Sequence, residues 1–133
     1  MRFELPWPPS INRYYRHVGF RTLISREGRA FRRNVCALLA GGRGPMVVGR
    51  LALCMDAFPP DRRVRDLDNI QKPVLDAMQH AGVYRDDSQV DLLVTRRCRL
   101  RESGRLLIRL DEMPLARCPL CGGPYDEPGM EKD

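Results

Sequence analysis

Carboxylates and a lone lysine are gathered in one short segment of this otherwise arginine-rich chain. Asp66 and Asp68 lie two residues apart, Lys72 follows four residues later, and Asp86 and Asp87 come after a predicted helix. An extended backbone between the first two acids would direct both side chains to the same side. If Asp66, Asp68 and Asp87 converge, they form an oxygen-rich site for Mg²⁺, which can activate water and stabilise a leaving oxygen during phosphodiester hydrolysis.

Lys72 is the only lysine before Lys132. Its compact ammonium, whose pKa shifts more readily than that of arginine, can steady a pentavalent phosphate or protonate a leaving group. Purely structural interpretations remain open. Acids near helix ends serve as caps and dipole partners, and Lys72 with Asp76 has the spacing of a surface i, i+4 pair. An EF-hand is excluded, because the segment lacks glycine at loop position six and glutamate at position twelve.

The charge distribution indicates a polyanionic partner. Residues 1–110 contain 21 Lys and Arg against 11 Asp and Glu, a net charge of +10, whereas residues 111–133 contain 2 against 6, a net charge of −4. Nucleic acid is the first candidate for binding to such a basic region. A solvated arginine-rich surface without a partner is the alternative interpretation.

Length and composition predict one globular domain rather than a disordered or membrane protein. The chain has 133 residues, of which 43% are hydrophobic, and it lacks an apolar run of the roughly 18 residues that span a bilayer. The opening MRFELPWPPS has no apolar core of a signal peptide, so a cytoplasmic location without membrane association is predicted. Five cysteines, an odd number, do not indicate a disulfide framework.

The sequence pattern predicts an α/β (α+β) fold, in which a mixed sheet is covered by two helices in the order β-β-α-β-α-β-β. Strands are expected in MRFELPW, RTLIS and GRLALCMDAF. The third is expected to be central, because it is apolar on both faces. SQVDLLVTRRCRL and RLLIRLDEM are expected to form a hairpin around Glu102-Ser103-Gly104.

The first predicted helix has Ser25 as its N-cap and stops at Gly41. Its expected apolar face contains Phe31, Val35, Leu38 and Leu39. The second helix is expected from about residue 70 to residue 81, with Asn69 or a close neighbour as its N-cap and Pro73 in the first turn, where a missing N–H is tolerated.

Two basic stretches are candidates for DNA contact. Arginine forks can hold phosphates, and tyrosine rings can stack on exposed bases. The first stretch consists of Arg13, Tyr14, Tyr15 and Arg16, and the second of Arg62, Arg63 and Arg65 beside the acids. Arginines of the second stretch are expected to position the phosphate backbone near a metal. A packed cluster with core tyrosines is the alternative interpretation of the first stretch.

Residues 114–133 are predicted to be an acidic tail rich in proline and glycine, separate from a domain at 1–113. The tail contains Cys118 and Cys121 followed by two glycines, which is half of a zinc knuckle. A structural zinc site needs four ligands. Two tails of a dimer, or one core cysteine or histidine, would complete it. A free cysteine pair in a flexible tail and a redox role are the alternatives.

RDLDNIQKPVLDAMQHAGVYRDDSQV, LPWPPSINRYYRH and PDRRVRDLDN resemble the signature of the RusA family of Holliday junction resolvases, over most of residues 1–112. The resemblance implies a homodimeric, Mg²⁺-dependent endonuclease, with Mn²⁺ as the alternative metal, that nicks two strands of a four-way DNA junction symmetrically. It places the catalytic acids at Asp66, Asp68 and Asp87, the essential lysine at Lys72 and a neighbouring acid at Asp86. Pro73 replaces the small residue usual in the family, which leaves the start of the helix open.

Two functions of other classes compete with the nuclease. One is a non-catalytic module that binds junctions or other nucleic acid, in which the acids are only structural. The other is an interaction protein tethered through zinc at the CPLC motif. Magnesium-dependent nicking of a junction separates the nuclease from the first, and metal analysis addresses the second.

Overall fold

The computed structural model describes residues 1–42 and 44–126, which form six strands and three helices. In chain order these are β1 Arg2–Pro6, α1 Ile11–Tyr14, β2 Tyr15–Val18, β3 Arg21–Ile24, α2 Arg26–Leu39, β4 Leu51–Phe58, α3 Asp68–His80, β5 Val90–Arg97 and β6 Arg105–Glu112. A 3₁₀ turn, Asp87–Gln89, precedes β5. The described residues include no helix with the length and apolar character needed to span a bilayer.

Four strands form a mixed sheet in the order β1-β6-β4-β5, which confirms the predicted sheet type. β4 pairs antiparallel with β6 and parallel with β5, so its predicted central position is also confirmed. Its residues Leu51, Leu53, Met55 and Ala57 are fully buried. β2 and β3 pair only with each other and form a separate hairpin.

The predicted hairpin of β5 with β6 is wrong, because β4 lies between these strands. α3 carries the chain from β4 to β5, as a parallel pair requires a crossover connection. The chain then passes the end of β4, where Cys98 N–H donates to Ala57 O and Arg101 N–H donates to Pro59 O. This path gives the buried strand β4 hydrogen-bonding partners along both edges.

The core lies between the helices and one face of the sheet. Its buried residues include Leu5, Leu53, Met55, Leu106 and Ile108 from strands and Tyr14, Phe31, Val35, Val74 and Met78 from helices. The short helix α1 is absent from the predicted order, so there are three helices rather than two. The opposite sheet face bears a cavity of about 360 Å³, and no described helix residue lines it.

α2 begins as the sequence predicts. Ser25 Oγ accepts a hydrogen bond from Gly28 N–H at 3.0 Å, which confirms Ser25 as the N-cap. The helix ends two residues before Gly41. Phe31, Val35 and Leu39, spaced four residues apart, form the buried stripe, whereas the predicted core residue Leu38 is 58% exposed because it lies on the flank of that stripe.

We expect Gly28→Ala to destabilise the protein, although alanine favours a helix by ~1 kcal/mol over glycine. A Cβ at this position would lie 2.5 Å from Tyr14 O and 2.8 Å from Ile24 Cγ2. The backbone oxygen cannot yield without moving α1, so overpacking should cost about 1–3 kcal/mol. Urea denaturation measures the change. Gly41→Ala is the control, because no atom lies within 4 Å of its Cβ position, and equal stability of both variants would contradict the close packing.

α3 starts two residues earlier than predicted. The helix begins at Asp68, and Leu67 occupies the N-cap with helical backbone angles and no side-chain cap. Asn69 N–H donates to Asp66 O at 3.2 Å, so a turn is already formed before the helix. Pro73 consequently lies inside the helix rather than in its first turn.

The described part of the tail folds back toward the sheet. Arg109 Nη2 donates to Pro119 O at 2.7 Å, and Pro119 and Leu120 line the cavity on the sheet face opposite the helices. Residues 114–126 contain no helix and no strand. Residues 127–133, the rest of the predicted tail, lie outside the described residues.

Candidate active site

The N-terminal end of α3 carries two of the predicted acids and the lone lysine. Asp68 is the first residue of the helix, and Lys72 lies one turn later, where residues four apart are neighbours on the helix surface. Asp66 precedes the helix. The expected extended geometry between the two acids is wrong, because Leu67 has φ −62° and ψ −35°. Both acids are exposed, but their side chains do not follow the alternation of a strand.

Lys72 and Asp87 form an ion pair. Lys72 Nζ lies 2.7 Å from Asp87 Oδ2, with the two side chains 48% and 25% exposed. The hydrogen bond that Lys72 donates to Asp87 raises the pKa of Lys72 above its ordinary value, with a smaller opposing effect of burial. Lys72 is therefore held as a cation beside Asp87.

Glutamine side chains hold the backbone that carries Asp87. Asp87 N–H donates to Gln79 Oε1 at 3.1 Å, which ties the turn to α3. The buried Gln89 accepts at Oε1 from Arg85 N–H and Asp86 N–H, both at 2.9 Å. Its Nε2 donates to the carbonyl oxygens of residues 47 and 49. Neither glutamine is among the residues that the sequence motifs predict for the site.

Asp86 caps the 3₁₀ turn. Its Oδ1 accepts from Ser88 N–H at 2.8 Å, and Gln89 reaches back to the backbone of Asp86, which completes a capping box. The backbone hydrogen bond from Ser88 is the main reason that the pKa of Asp86 is lowered. The spacing of an acid three residues before glutamine was a sequence signal for this role.

The predicted metal ligands have suitable chemistry but are not gathered into one cluster. In the part of the chain that the structure describes, the Asp66 and Asp68 side chains have no hydrogen bond or ion pair, so their oxygens are available. Within the same residues, no three His, Cys, Asp or Glu side chains are arranged to hold a metal together. The donors therefore fit a hard cation in chemical type, and Asp87 shares its carboxylate with Lys72.

Tyr14 is not a base-stacking residue, because it is fully buried. Its hydroxyl donates to Asp76 Oδ2, and Arg32 Nη2 donates to the same oxygen at 2.6 Å. Burial, followed by the hydrogen bond to Asp76, raises the pKa of Tyr14 well above its ordinary value. This network joins α1, α2 and α3 behind the exposed Lys72.

Tyr15 is half-buried and packs edge-on against Tyr14, with ring centroids 4.8 Å apart. Burial is the main cause of its raised pKa, with Asp76 adding to the effect and Lys72 opposing it. Arg13 on α1 and Arg16 on β2 are exposed. Of the first predicted DNA-binding stretch, the arginines are thus available to a ligand, whereas the tyrosines mainly pack.

The second basic stretch forms a cleft of about 490 Å³ at the end of β4. Five arginines and two acids contribute to its lining, namely Arg62, Arg63, Arg65, Arg97, Arg99, Asp61 and Asp66. Arg65 is fixed by an ion pair with Asp61 at 2.7 Å, and its guanidinium lies 5.6 Å from the centre of the Trp7 ring. Arg62 and Arg63 are exposed. Arg13 and Arg63 also line a neighbouring cleft with Asn69, so the two predicted basic stretches meet at the start of α3.

The fold and the site define a mixed-sheet protein in which unpaired carboxylates adjoin an arginine-lined cleft. The family model described as endodeoxyribonuclease RusA matches residues 6–111. Crossover junction endodeoxyribonuclease rusA of Enterobacteria phage 82 is 43% identical over 110 residues, covering 82% of this chain and 92% of the relative. Crossover junction endodeoxyribonuclease RusA of Escherichia coli (strain K12) is 41% identical over the same length and shares of each chain.

The chain therefore belongs to the RusA family of endodeoxyribonucleases, and it is a nuclease. The family resemblance seen in the sequence motifs is confirmed. The matched range includes both basic stretches, all of α3 and the acids at positions 66, 68, 86 and 87, and it ends before the two tail cysteines.

Proposed function

We propose that this chain is a magnesium-dependent, structure-specific endodeoxyribonuclease that resolves four-way DNA junctions by paired symmetric nicks. The main support for this proposal is the position of Asp66. Asp66 lines the arginine cleft, and its carboxylate has no partner in the described part of the chain. Cations that bind phosphate and oxygens that bind metal are thereby side by side. The names of the similar proteins supply the junction as the substrate.

In this proposal the arginines bind the DNA backbone and the acids bind the metal. Exposed Arg62 and Arg63 would hold backbone phosphates by charge-assisted hydrogen bonds, and Arg13 would extend this contact along the neighbouring cleft. Such contacts position a strand without reading its sequence. Recognition of a junction would then rest on the shape of the branched DNA.

Asp66, Asp68 and Asp87, with Asp86 beside them, are the residues that would hold Mg²⁺. The bound ion supplies an activated water and charge for the leaving oxygen. Asp87 stands on a turn fixed by Gln79, which keeps its carboxylate next to α3. Mn²⁺ prefers the same oxygen donors and is the alternative metal.

Lys72 would act as a fixed positive charge toward the scissile phosphate. Its pKa is raised by the hydrogen bond to Asp87, so the ammonium form, which can stabilise the phosphate charge or protonate the leaving oxygen, is retained. The ion pair with Asp87 holds the ammonium at the acidic site.

We further propose a homodimer whose nuclease unit is residues 1–113, working in the cytoplasm where its DNA substrate is found. A four-way junction has approximate two-fold symmetry, and a C₂ dimer presents the same site to two strands. The sheet face away from the helices, with its cavity of about 360 Å³, is available for pairing of two copies. The family match over residues 6–111 supports the boundary near residue 113.

Cleavage of a labelled synthetic four-way junction beside a matched linear duplex, with and without Mg²⁺, tests the proposal. Paired nicks on the junction that require the metal are the expected result. Binding without nicking would instead favour a junction-binding module. The observation in favour of that alternative is that no three potential ligands are gathered among the described residues.

Lys72→Arg should slow nicking by about 10-fold or more while junction affinity is retained. The guanidinium keeps the charge, but its planar fork cannot occupy the position of a compact ammonium beside Asp87. Single-turnover nicking rates and gel-shift affinities measure the two effects. Arg50→Lys, which makes the reverse exchange at an exposed ion pair with Asp91, is the control. A normal nicking rate for Lys72→Arg would show that any positive charge at position 72 is sufficient.

A further inference from the structure

The CPLC segment is folded as a tight loop in which Cys121 is exposed and Cys118 is half-buried. Gly122 N–H donates to Cys118 O at 2.9 Å, and Cys118 N–H donates to Gly123 O at 2.7 Å. Arg117 and Pro124 form an antiparallel bridge that closes the loop. Gly122 has φ +73°, a conformation that glycine adopts without strain. We call residues 117–124 the knuckle.

The knuckle surrounds one sulfur with backbone donors. The loop brings the backbone N–H groups of Cys121 and Leu120 close to Cys118 Sγ. Cys121 is exposed, and neither cysteine forms a disulfide. A Cβ at Gly123 would lie 3.5 Å from Cys121 Sγ, so the glycine leaves that side of the sulfur open. Backbone donors to sulfur are features of thiolate ligands.

Charge also favours a metal at this position. Two thiolates on one short loop repel each other unless a cation lies between them. Arg117 Nη1 donates to Gly122 O at 3.0 Å, which helps to fix the shape of the loop. The donors are soft sulfurs, and thiolates select zinc and other soft ions rather than the Mg²⁺ expected at the carboxylates.

We infer that the knuckle is half of a structural zinc site, and that the knuckle of a second copy of this chain completes a Cys₄ site. Structural zinc sites are almost always four-coordinate. Within the described residues no third His, Cys, Asp or Glu joins the pair, whereas a two-fold axis would supply an identical pair. Leu120, 60% exposed at the loop, also lines the cavity on the open sheet face. The inference rests on the proposed homodimer.

Zinc content of the purified full-length chain tests this assignment. After incubation with Zn²⁺ and gel filtration, we expect about one half zinc per chain, as one ion shared by two copies requires. Cys118→Ser and Cys121→Ser should each lose most of the zinc. Cys36→Ser is the matched control, because Cys36 lies on α2 outside the knuckle. Co²⁺ in place of Zn²⁺ should show thiolate-to-cobalt charge transfer and tetrahedral bands in the control but not in the knuckle variants.

The outcomes separate this inference from the proposed nuclease. One zinc per chain in a monomer would contradict a zinc ion shared between two copies. Absence of zinc, or a Cys118–Cys121 disulfide in its place, would contradict the zinc site itself. Circular dichroism establishes that each serine variant is folded. A serine variant that lacks zinc yet nicks junctions as a dimer is compatible with the inference, since the open sheet face can hold the dimer. If the unmodified chain binds zinc but does not nick junctions, the result counts against the proposed nuclease function and not against the zinc site.

Discussion

Asp68→Asn and Asp87→Asn should each slow junction nicking by at least about 10²-fold while leaving junction binding intact. An amide is a neutral and weaker ligand than a carboxylate, so the charge that balances a divalent ion is lost. Asp68 is exposed at the first position of α3, and Asp87 is paired with Lys72. The Asp87 variant should be the more severe, because it also releases the lysine from its position.

Binding should survive these substitutions because a different set of side chains provides it. Removing one carboxylate near a phosphate relieves a repulsion worth ~1 kcal/mol at 4 Å in water. Affinity should therefore stay the same or increase several-fold. Asp66→Asn, at the edge of the arginine cleft, should show the largest increase in affinity together with the same loss of nicking.

Gel-shift affinity and single-turnover nicking on one labelled junction provide both measurements. Glu112→Gln is the control, because this acid is exposed at the end of β6, away from α3. Near-normal nicking by Asp66→Asn and Asp68→Asn would contradict a metal site at the start of α3. Loss of binding in parallel with nicking would instead show that the acids support the fold of the cleft.

Junction affinity should fall by ~10³–10⁵ between 50 and 200 mM salt, as expected for six to ten phosphate contacts. Six exposed arginines lie around the two clefts and on the adjoining hairpin, namely Arg13, Arg16, Arg62, Arg63, Arg97 and Arg99. Each neutralised phosphate releases counterions, so the logarithm of affinity falls linearly with the logarithm of salt. The expected dependence is therefore near the lower end of this range.

Substitution of Arg63 tests the number of phosphate contacts directly. Arg63→Ala should reduce the slope of the salt dependence by about one, whereas Arg63→Lys should retain it because the charge is kept. Arg63 is exposed and lines both clefts. Affinity that is flat across the salt range, or equal slopes for both variants, would rule out electrostatic binding at this surface.

The sequence by itself determined features that depend on neighbours along the chain. Ser25 and Gly28 are three residues apart, so the N-cap of α2 follows from local geometry. The apolar run of β4 identified it as the central strand, since a strand with partners along both edges and one face in the core is largely buried. The acids, the lysine and the basic stretches were also visible, because their chemistry is a property of residue type.

Tertiary structure alone decided which strands are neighbours. The short connection between β5 and β6 favours a hairpin of these two strands. The chain instead passes the end of β4, and β6 pairs with the other edge of β4. This arrangement is stabilised by hydrogen bonds between strands that are far apart in sequence. No local pattern contains that information.

The same limit applies to the site. Tyr14 and Tyr15 are adjacent and chemically identical, but only Tyr14 is fully buried, because Asp76 and Arg32 from two other helices surround its hydroxyl. The distance between Lys72 and Asp87 likewise depends on how the chain returns along α3, where Gln79 holds the turn. Burial and proximity are set by packing of distant segments, so residue type and spacing could nominate these side chains but could not assign their partners.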